Sequence, residues 1–296
     1  MRQRSRRDQY LLGYFFILPT LILIGLVVFY PLSRAVYLSL TDSSFIKPQI
    51  EFVGLKHFHK MLYDPTFWLV VRNSVIWTVA VVFFQFLVGL GTALLLNEKF
   101  WGRALVRGIV IICWVTPGII TGLLWRLMYN PQLGIINGIL ADLGLTNPTI
   151  PWLGQVGTAM PAVILSAIWK GSPFSTIMYL AALQGVSEDM IDASKIDGTN
   201  SWQRLWYVII PEIMPVIRVT ILLTTVWTFN YFELIYIMTN GGPGDNTHIF
   251  PTFIYKLAFT QVRTGAAAAY GIVSVFILLI FSLLYIRELN RRKVLD

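Results

Sequence analysis

A carboxylate and an ammonium group interrupt otherwise apolar stretches of this chain: Glu233 in VWTFNYFELIYIM and Lys170 in IWKGSPF. A charge at the centre of a membrane helix costs about 2.5 to 3.5 kcal/mol on insertion scales, against a gain of about 0.3 to 0.6 kcal/mol per Leu, Ile or Phe, so both groups should face protein or water. Trp227, Asn230 and Tyr231 stand at i, i+3 and i+4, and Glu233 follows three after Asn230. Aromatic faces with amide and carboxylate acceptors on one wall suit a hydroxyl-rich solute. Packing between helices is the competing reading, and Thr220, Thr224 and Thr228 at four-residue spacing form a ridge of that kind. Lys170 is followed by Gly171 and Pro173, which predicts a helix bent or broken there and lining a cavity. An ion pair with a neighbouring subunit explains the cation equally well.

Other chemistry is poorly represented. His57 and His59 form an H-x-H in a stretch read as loop, and His248 lies in another; without a cysteine or carboxylate cluster they make a poor metal site and read as exposed loop residues. Asp42, Glu51 and Asp64 read as solvated loop carboxylates. The lone Cys113 has no partner for an internal disulfide. There is no G-x-x-x-x-G-K-[ST] phosphate loop, so the chain carries no ATP-hydrolysing motor, and no clustered acid, base or metal set that would make it an enzyme.

The elements that must position these residues are membrane helices. Of the 296 residues 56% are hydrophobic and 13% charged, where soluble domains carry about 25% charged. Six runs approach the roughly 20 apolar residues needed to cross a bilayer: Leu11 to Tyr30, Val71 to Leu96, Val106 to Tyr129, Ala159 to Leu183, Val216 to Met238 and Ala266 to Ile286. Backbone groups in lipid must be satisfied within each segment, so the fold class is all-α, an integral membrane protein of six helices. MRQRSRR before the first run imitates a signal peptide, but the apolar part is too long and no small-x-small cleavage site follows. It reads as a retained helix.

Lysine and arginine alternate unevenly between loops. Fourteen lie on the side of residues 1–10, 186–215 and 287–296, and seven on the other, so the positive-inside rule places both termini and the 186–215 segment in the cytoplasm. The net charge of +8 reflects this topology, with anionic lipid rather than nucleic acid as its counter-surface.

Between the fourth and fifth runs lies IDASKIDGTNSWQRLWYVIIPEIMP, residues 191–215. Ser187 with Glu188 and Asp189 predicts a helix start, Gly198 its stop, and Asn200 or Ser201 the cap of a second helix. Trp202, Leu205, Trp206, Ile209 and Ile210 share one face of that helix, and Pro211 is expected to end or kink it. A DNA-reading helix pair fits poorly, because both its ends are tethered to membrane helices. An amphipathic loop on the lipid interface and a docking knob for a cytoplasmic partner remain.

Asp192, Ala193, Ser194, Asp197 and Gly198, with Pro211 thirteen positions after the glycine, resemble the EAA loop of ABC importer permeases, E-A-A-x-x-D-G followed by I-x-L-P. Asp192 stands for the usual glutamate, Ser194 for one alanine, and Val208 and Ile210 for Ile and Leu. The chain is similar along nearly its whole length to the carbohydrate-uptake branch of that family, the maltose and glycerol-phosphate permeases. The similarity is carried by FVGLKHF at 52, DPTFW at 64, YNPQLGIIN at 129, IWKGSPF at 168, AALQGV at 181 and TNGGPGDNT at 239. The resemblance implies a six-helix permease domain over residues 11–286 in a bacterial or archaeal inner membrane. It also implies a second permease subunit in a heterodimer, two ATPase subunits that bind and hydrolyse ATP, and an extracytoplasmic solute-binding protein. Asp192, Ala193, Ser194, Asp197, Gly198 and Pro211 would dock the ATPase; Trp227, Asn230, Tyr231, Glu233 and Lys170 would belong to the pathway of a sugar or polyol. A secondary transporter is the rival class, as is a permease for a non-sugar solute. No similarity between the halves 1–150 and 151–296 supports the inverted repeats of many secondary transporters.

Overall fold

A computed structural model describes residues 6–46, 50–145 and 150–293; Arg2, Arg4, Lys47, Asn147 and Pro148 lie outside them. The described residues are helical apart from turns and one isolated antiparallel bridge, Thr41 with Phe52. Helix α1 (Arg6–Ile24) passes through a wide π-helical turn, Gly25–Phe29, into α2 (Tyr30–Ser39), and α3 (Lys56–Leu62) follows. The 33-residue α4 (Pro65–Asn97) is about 50 Å long at 1.5 Å per residue. It starts where Asp64, expected to be merely solvated, accepts a hydrogen bond from the Thr66 N–H at 2.8 Å.

The expected third run is two helices, α5 (Arg103–Val115) and α6 (Gly118–Met128), bent 97° apart at Thr116 and Pro117. Pro117 has no N–H to donate back along the helix, which is the physical reason for the break. Then come α7 (Ile135–Asp142), the 28-residue α8 (Val156–Leu183), α9 (Glu188–Ile196) and α10 (Ser201–Arg204). The π-helical turn Leu205–Ile209 leads from α10 into α11 (Ile210–Phe229), and α12 (Glu233–Thr239), α13 (Phe250–Tyr255) and α14 (Thr264–Lys293) complete the order.

Three expectations need correction. Pro211 neither ends nor separates its helix: Ser201–Phe229 is continuous. The Ile210 N–H reaches back five residues to the Leu205 carbonyl, and this widened turn makes room for the proline ring. The same device, Tyr30 N–H to the Gly25 carbonyl, precedes Pro31. Helix α8 is likewise unbroken at Gly171 and Pro173. The fifth run, expected to be helical to Met238, stops at Phe229 and resumes at Glu233.

Among the described residues four helical stretches are long and apolar enough to cross a membrane: Tyr14–Ser39, Pro65–Asn97, Ser201–Phe229 and Thr264–Leu289. The bent pair α5 and α6 makes a fifth if counted as one span. Helix α8 has the length, but Lys170 and its many Ser, Thr and Gly residues dilute its apolar character.

The chain divides into two compact units, Met1–Tyr63 with Ile254–Phe276 and Asp64–Phe253 with Ile277–Asp296. In the first, the Ser44 hydroxyl donates to the Val262 carbonyl at 2.6 Å, Ser43 Oγ meets Thr264 Oγ1 at 2.9 Å, and His57 Nε2 lies 3.0 Å from the Thr41 carbonyl. His57 and His59 thus sit on α3 rather than in a loop.

The second unit is built around α4 and α8. One apolar cluster joins Trp77 and Val81 of α4, Val163 and Ala167 of α8, and Leu234, Ile235 and Met238 of α12. Another joins Leu90, Ala93 and Leu96 with Tyr179 and Leu183, and with Ile210, Ile213 and Ile217 of α11. Helix α4 comes so close to α8 that a Cβ on Gly89 would overlap Ser175. Thr220, Thr224 and Thr228 are all buried, and the Thr220 and Thr224 hydroxyls donate to carbonyls four residues back. The threonine ridge is therefore buried, and Thr224 and Thr228 of it also line a cavity. Because the α4–α8 contact leaves no room for added volume, Gly89→Leu should cost about 1 to 3 kcal/mol. A lowered melting temperature of the purified complex in detergent checks this.

Candidate solute pathway and docking element

At both breaks in the second unit side chains bond to carbonyls at the helix ends. At the end of α11, the Trp77 indole N–H donates to the Thr228 carbonyl at 2.8 Å, and the Asn230 amide Nδ2 donates to the Val226 carbonyl at 2.9 Å. At the end of α5, the Lys170 ammonium donates to the Thr116 carbonyl at 2.5 Å and to the Trp114 carbonyl at 3.4 Å. The break expected beside Lys170 exists, but in the helix facing it.

Between these points lies a cavity of about 120 Å³ lined by Trp77, Gln85, Trp114, Lys170, Phe174, Trp227 and Tyr231, among others. Phe174 meets Trp227 edge-on with ring centroids 4.9 Å apart, and Trp114 tilts against Phe174 at 5.9 Å. Trp77 stacks with Tyr231 at 6.3 Å. The Tyr231 hydroxyl is buried with no hydrogen-bond partner. Gln85 reaches across to α8, its Nε2 donating to the Ala167 carbonyl at 3.2 Å, over Gly171, whose missing Cβ makes the space.

Three of the sequence-selected pathway residues, Trp227, Tyr231 and Lys170, therefore share one cavity. Asn230 and Glu233 do not line it: Asn230 is exposed at the end of α11, and the Glu233 carboxylate rests against Gly118, the first residue of α6. The helix break takes Asn230 and Glu233 away from the single face that the spacing implied, while Trp227 and Tyr231 still meet at the cavity. Trp77, Gln85, Trp114 and Phe174 escaped the sequence reading. Gln85, a lone amide in VVFFQFLVGL, carried the available signal.

The 186–215 segment is well defined. Asn200 caps the second helix with a reciprocal pair, Gln203 N–H to Asn200 Oδ1 at 2.8 Å and Asn200 N–H to Gln203 Oε1 at 2.9 Å. Helix α9 ends on Gly198 at φ +79°, with Gly198 N–H to the Lys195 carbonyl and Thr199 N–H to the Ser194 carbonyl, a turn that suits glycine. Ser187 precedes α9 but makes no side-chain cap. Asp192, Ala193, Asp197, Gly198 and Pro211 are exposed, and Asp192 pairs with Lys195 at 2.8 Å. Ser194 is buried, its hydroxyl donating to the Ile191 carbonyl at 2.6 Å. Ile196, Trp202 and Tyr207 add exposed apolar surface, while Ile191 packs into the cluster of α4, α8 and α11.

The loop after α12 is also ordered. Thr239 and Thr247 hydroxyls meet at 2.7 Å, and the amide of Asn73 on α4 donates to the His248 carbonyl at 3.2 Å. His248, expected to be an exposed loop residue, is buried; its ring meets Thr252 Oγ1 at 3.0 Å and the Asp245 carboxylate at 3.4 Å. No group of three or more metal-ligating side chains occurs among the described residues.

Helices broken at two polar points around an aromatic cavity belong to a transport protein. The chain is a member of the family described as the binding-protein-dependent transport system inner membrane component, whose profile matches residues 85–295. It is therefore a multi-pass inner-membrane permease component rather than an enzyme. It is 35% identical to the trehalose/maltose transport system permease protein MalF of Thermococcus litoralis over 93% of this chain and 92% of that one. It is 34% identical to a probable ABC transporter permease protein of Brucella suis, over 95% and 97%. A solved bacterial ABC transporter involved in the import of the acidic polysaccharide alginate superposes with a TM-score of 0.82 at 25% identity, covering 96% of each chain.

A buried hydroxyl without a partner costs stability, so Tyr231→Phe should leave the melting temperature unchanged or raise it, by up to about 1 kcal/mol in stability terms. Thermal unfolding of the purified complex measures it.

Proposed function

We propose that this chain forms half of the translocation pathway of an ATP-driven importer of a sugar or related polyol. The observation that carries this reading is the cavity: five aromatic rings and a buried, unpartnered hydroxyl meet at a point where two membrane helices are broken. Aromatic faces bind the apolar faces of a sugar ring, and the Gln85 amide in the same lining supplies a polar contact that orients it. At about 120 Å³ the space is smaller than the 300 to 1,000 Å³ of ordinary ligand pockets, which fits half a site completed by a second permease. The pathway wall is assigned to Trp227, Tyr231 and Lys170, with Gln85, Trp77 and Phe174 added, while Asn230 and Glu233 stand beside it at the helix break. Names of relatives support the solute class: trehalose and maltose for the archaeal permease, alginate for the solved transporter.

The remaining assembly follows from the same reading. Six spans include α8 as the polar, protein-facing one, and both termini are cytoplasmic. Two ATPase subunits bind and hydrolyse ATP, a second permease makes a heterodimer, lipid surrounds both, and an extracytoplasmic binding protein delivers solute near the ordered 239–248 loop. The segment 186–215 is the docking element. Asp192, Ala193, Asp197 and Gly198 present its surface, Ser194 anchors it from beneath, and Pro211 begins α11. Ile191 packs on the cluster of α4, α8 and α11, so movement of the element is transmitted to the helices around the cavity.

Asp192→Lys or Gly198→Pro should leave the chain in the membrane yet reduce ATP-driven uptake at least about tenfold. Uptake of labelled maltose and trehalose into vesicles, with co-purification of the ATPase, tests this; unchanged values for both would reduce the segment to an interfacial loop. In sealed cells and a background lacking Cys113, an external thiol reagent should label a cysteine at position 245 and miss one at 200. Labelling at 200 would invert the orientation.

A further inference from the structure

Lys170 and Glu233 act on opposite sides of one break. The Lys170 ammonium is hydrogen-bonded to the Thr116 and Trp114 carbonyls, the negative end of α5, at 2.5 and 3.4 Å. The Glu233 carboxylate lies against Gly118, the positive end of the eleven-residue α6, so closely that a Cβ there would collide with it. Glu233 is also the first residue of α12, which packs on α6 through Leu234 and Ile237 at Gly122. Each charge therefore complements the helix end it faces. Lys170 and Glu233 also lie within electrostatic reach of each other.

A helix continued across residues 114–118 would meet the Trp114 and Thr116 carbonyls with the Gly118 and Ile120 N–H groups, losing only the bond that Pro117 cannot give, and would need neither charge. The bent form exposes carbonyls and N–H groups that in hydrocarbon must be met by something else. The cation comes from α8 and the anion from α12, so the bend depends on where these two helices stand. Trp114, in the last turn of α5, lines the cavity and contacts Phe174. Any change in the bend moves that ring.

We propose that Lys170 and Glu233 are positioning residues: a two-sided electrostatic clamp that holds the α5–α6 break and, through it, places Trp114 in the cavity wall. This rests on the pathway reading above and deepens it, giving the two charges a role on the helix rather than on the solute. Two of the ammonium's three donors are committed to carbonyls, and the carboxylate faces a helix end outside the cavity lining.

The test is a spin-label distance measurement on the assembled complex in lipid nanodiscs. Labels go at Leu105 and Leu127, exposed positions on α5 and α6 well away from the clamp, in a Cys113→Ala background. At 1.5 Å rise per residue the bent pair places them about 20 Å apart and a straight helix about 30 Å. The wild-type complex should give the short distance. Lys170→Met and Glu233→Gln should each shift the bent-to-straight equilibrium about tenfold, adding a long-distance population. Lys170→Arg, which keeps the cation, should restore the short distance. Distributions unchanged in both Lys170→Met and Glu233→Gln overturn the clamp. If Lys170→Met fails to assemble, the isosteric Glu233→Gln alone decides by the same criterion. The distance reports the clamp without any solute. Normal uptake by Trp227→Ala would remove the pathway reading alone, and an unmoved distance would remove the clamp alone.

Discussion

A carbonyl without a hydrogen-bond partner is tolerated at a helix end in water but not in hydrocarbon, and the second unit of this protein is arranged around that constraint. Two of its apolar runs are interrupted, at Thr116–Pro117 and at Asn230–Phe232. At each interruption side chains from other positions bond to helix-end carbonyls. Trp77 and Asn230 take the Thr228 and Val226 carbonyls, while Lys170 takes those of Thr116 and Trp114. The residues that keep the breaks tolerable are largely the residues around the cavity. A solute path and a set of helix-end partners are thus one construction.

The contrast with the prolines makes the point sharper. Pro31 and Pro211 each follow a π-helical turn, in which the residue before the proline bonds five positions back. There the widened turn absorbs the ring and the helix continues, so no outside partner is needed. Pro117 has no such turn before it and the chain breaks there by 97°, whereas Pro173 lies inside unbroken α8, so a proline alone does not make a break. A break is stable only where another element brings a charge or donor to it. Helix α8 does so with Lys170, and it can approach closely because Gly89 on α4 and Gly171 on α8 leave room.

How much of this was legible in the sequence follows from what spacing can and cannot encode. The apolar runs, the stop at Gly198, the Asn200 cap and the threonine ridge were readable, because each depends on residues near one another in the chain. Lys170 and Trp227 stood out as polar or aromatic residues in the right context. The Pro117 break and the buried state of His248 were not readable, since each depends on partners far away, and the passage through Pro211 was not because apolar spacing does not distinguish a π-helical turn from an α-helical one. Trp77 contacts a carbonyl 151 positions later, and Asn73 one 175 positions later. Periodicity also misled at Asn230 and Glu233, where it assumed a helix that in fact ends.

The same constraint shapes the link between the docking element and the cavity. Helix α9 and the start of α11 share an apolar cluster with the C-terminal halves of α4 and α8, and the N-terminal halves of α4 and α8 share another with α12. Closely packed interiors move as bodies rather than deforming continuously. Residues 188–210 are thus joined by packing, through α4 and α8, to the helices that carry Gln85, Lys170 and Trp227. The irregular backbone lies elsewhere, at the two breaks beside the cavity, where Trp77, Asn230 and Lys170 bond to helix-end carbonyls.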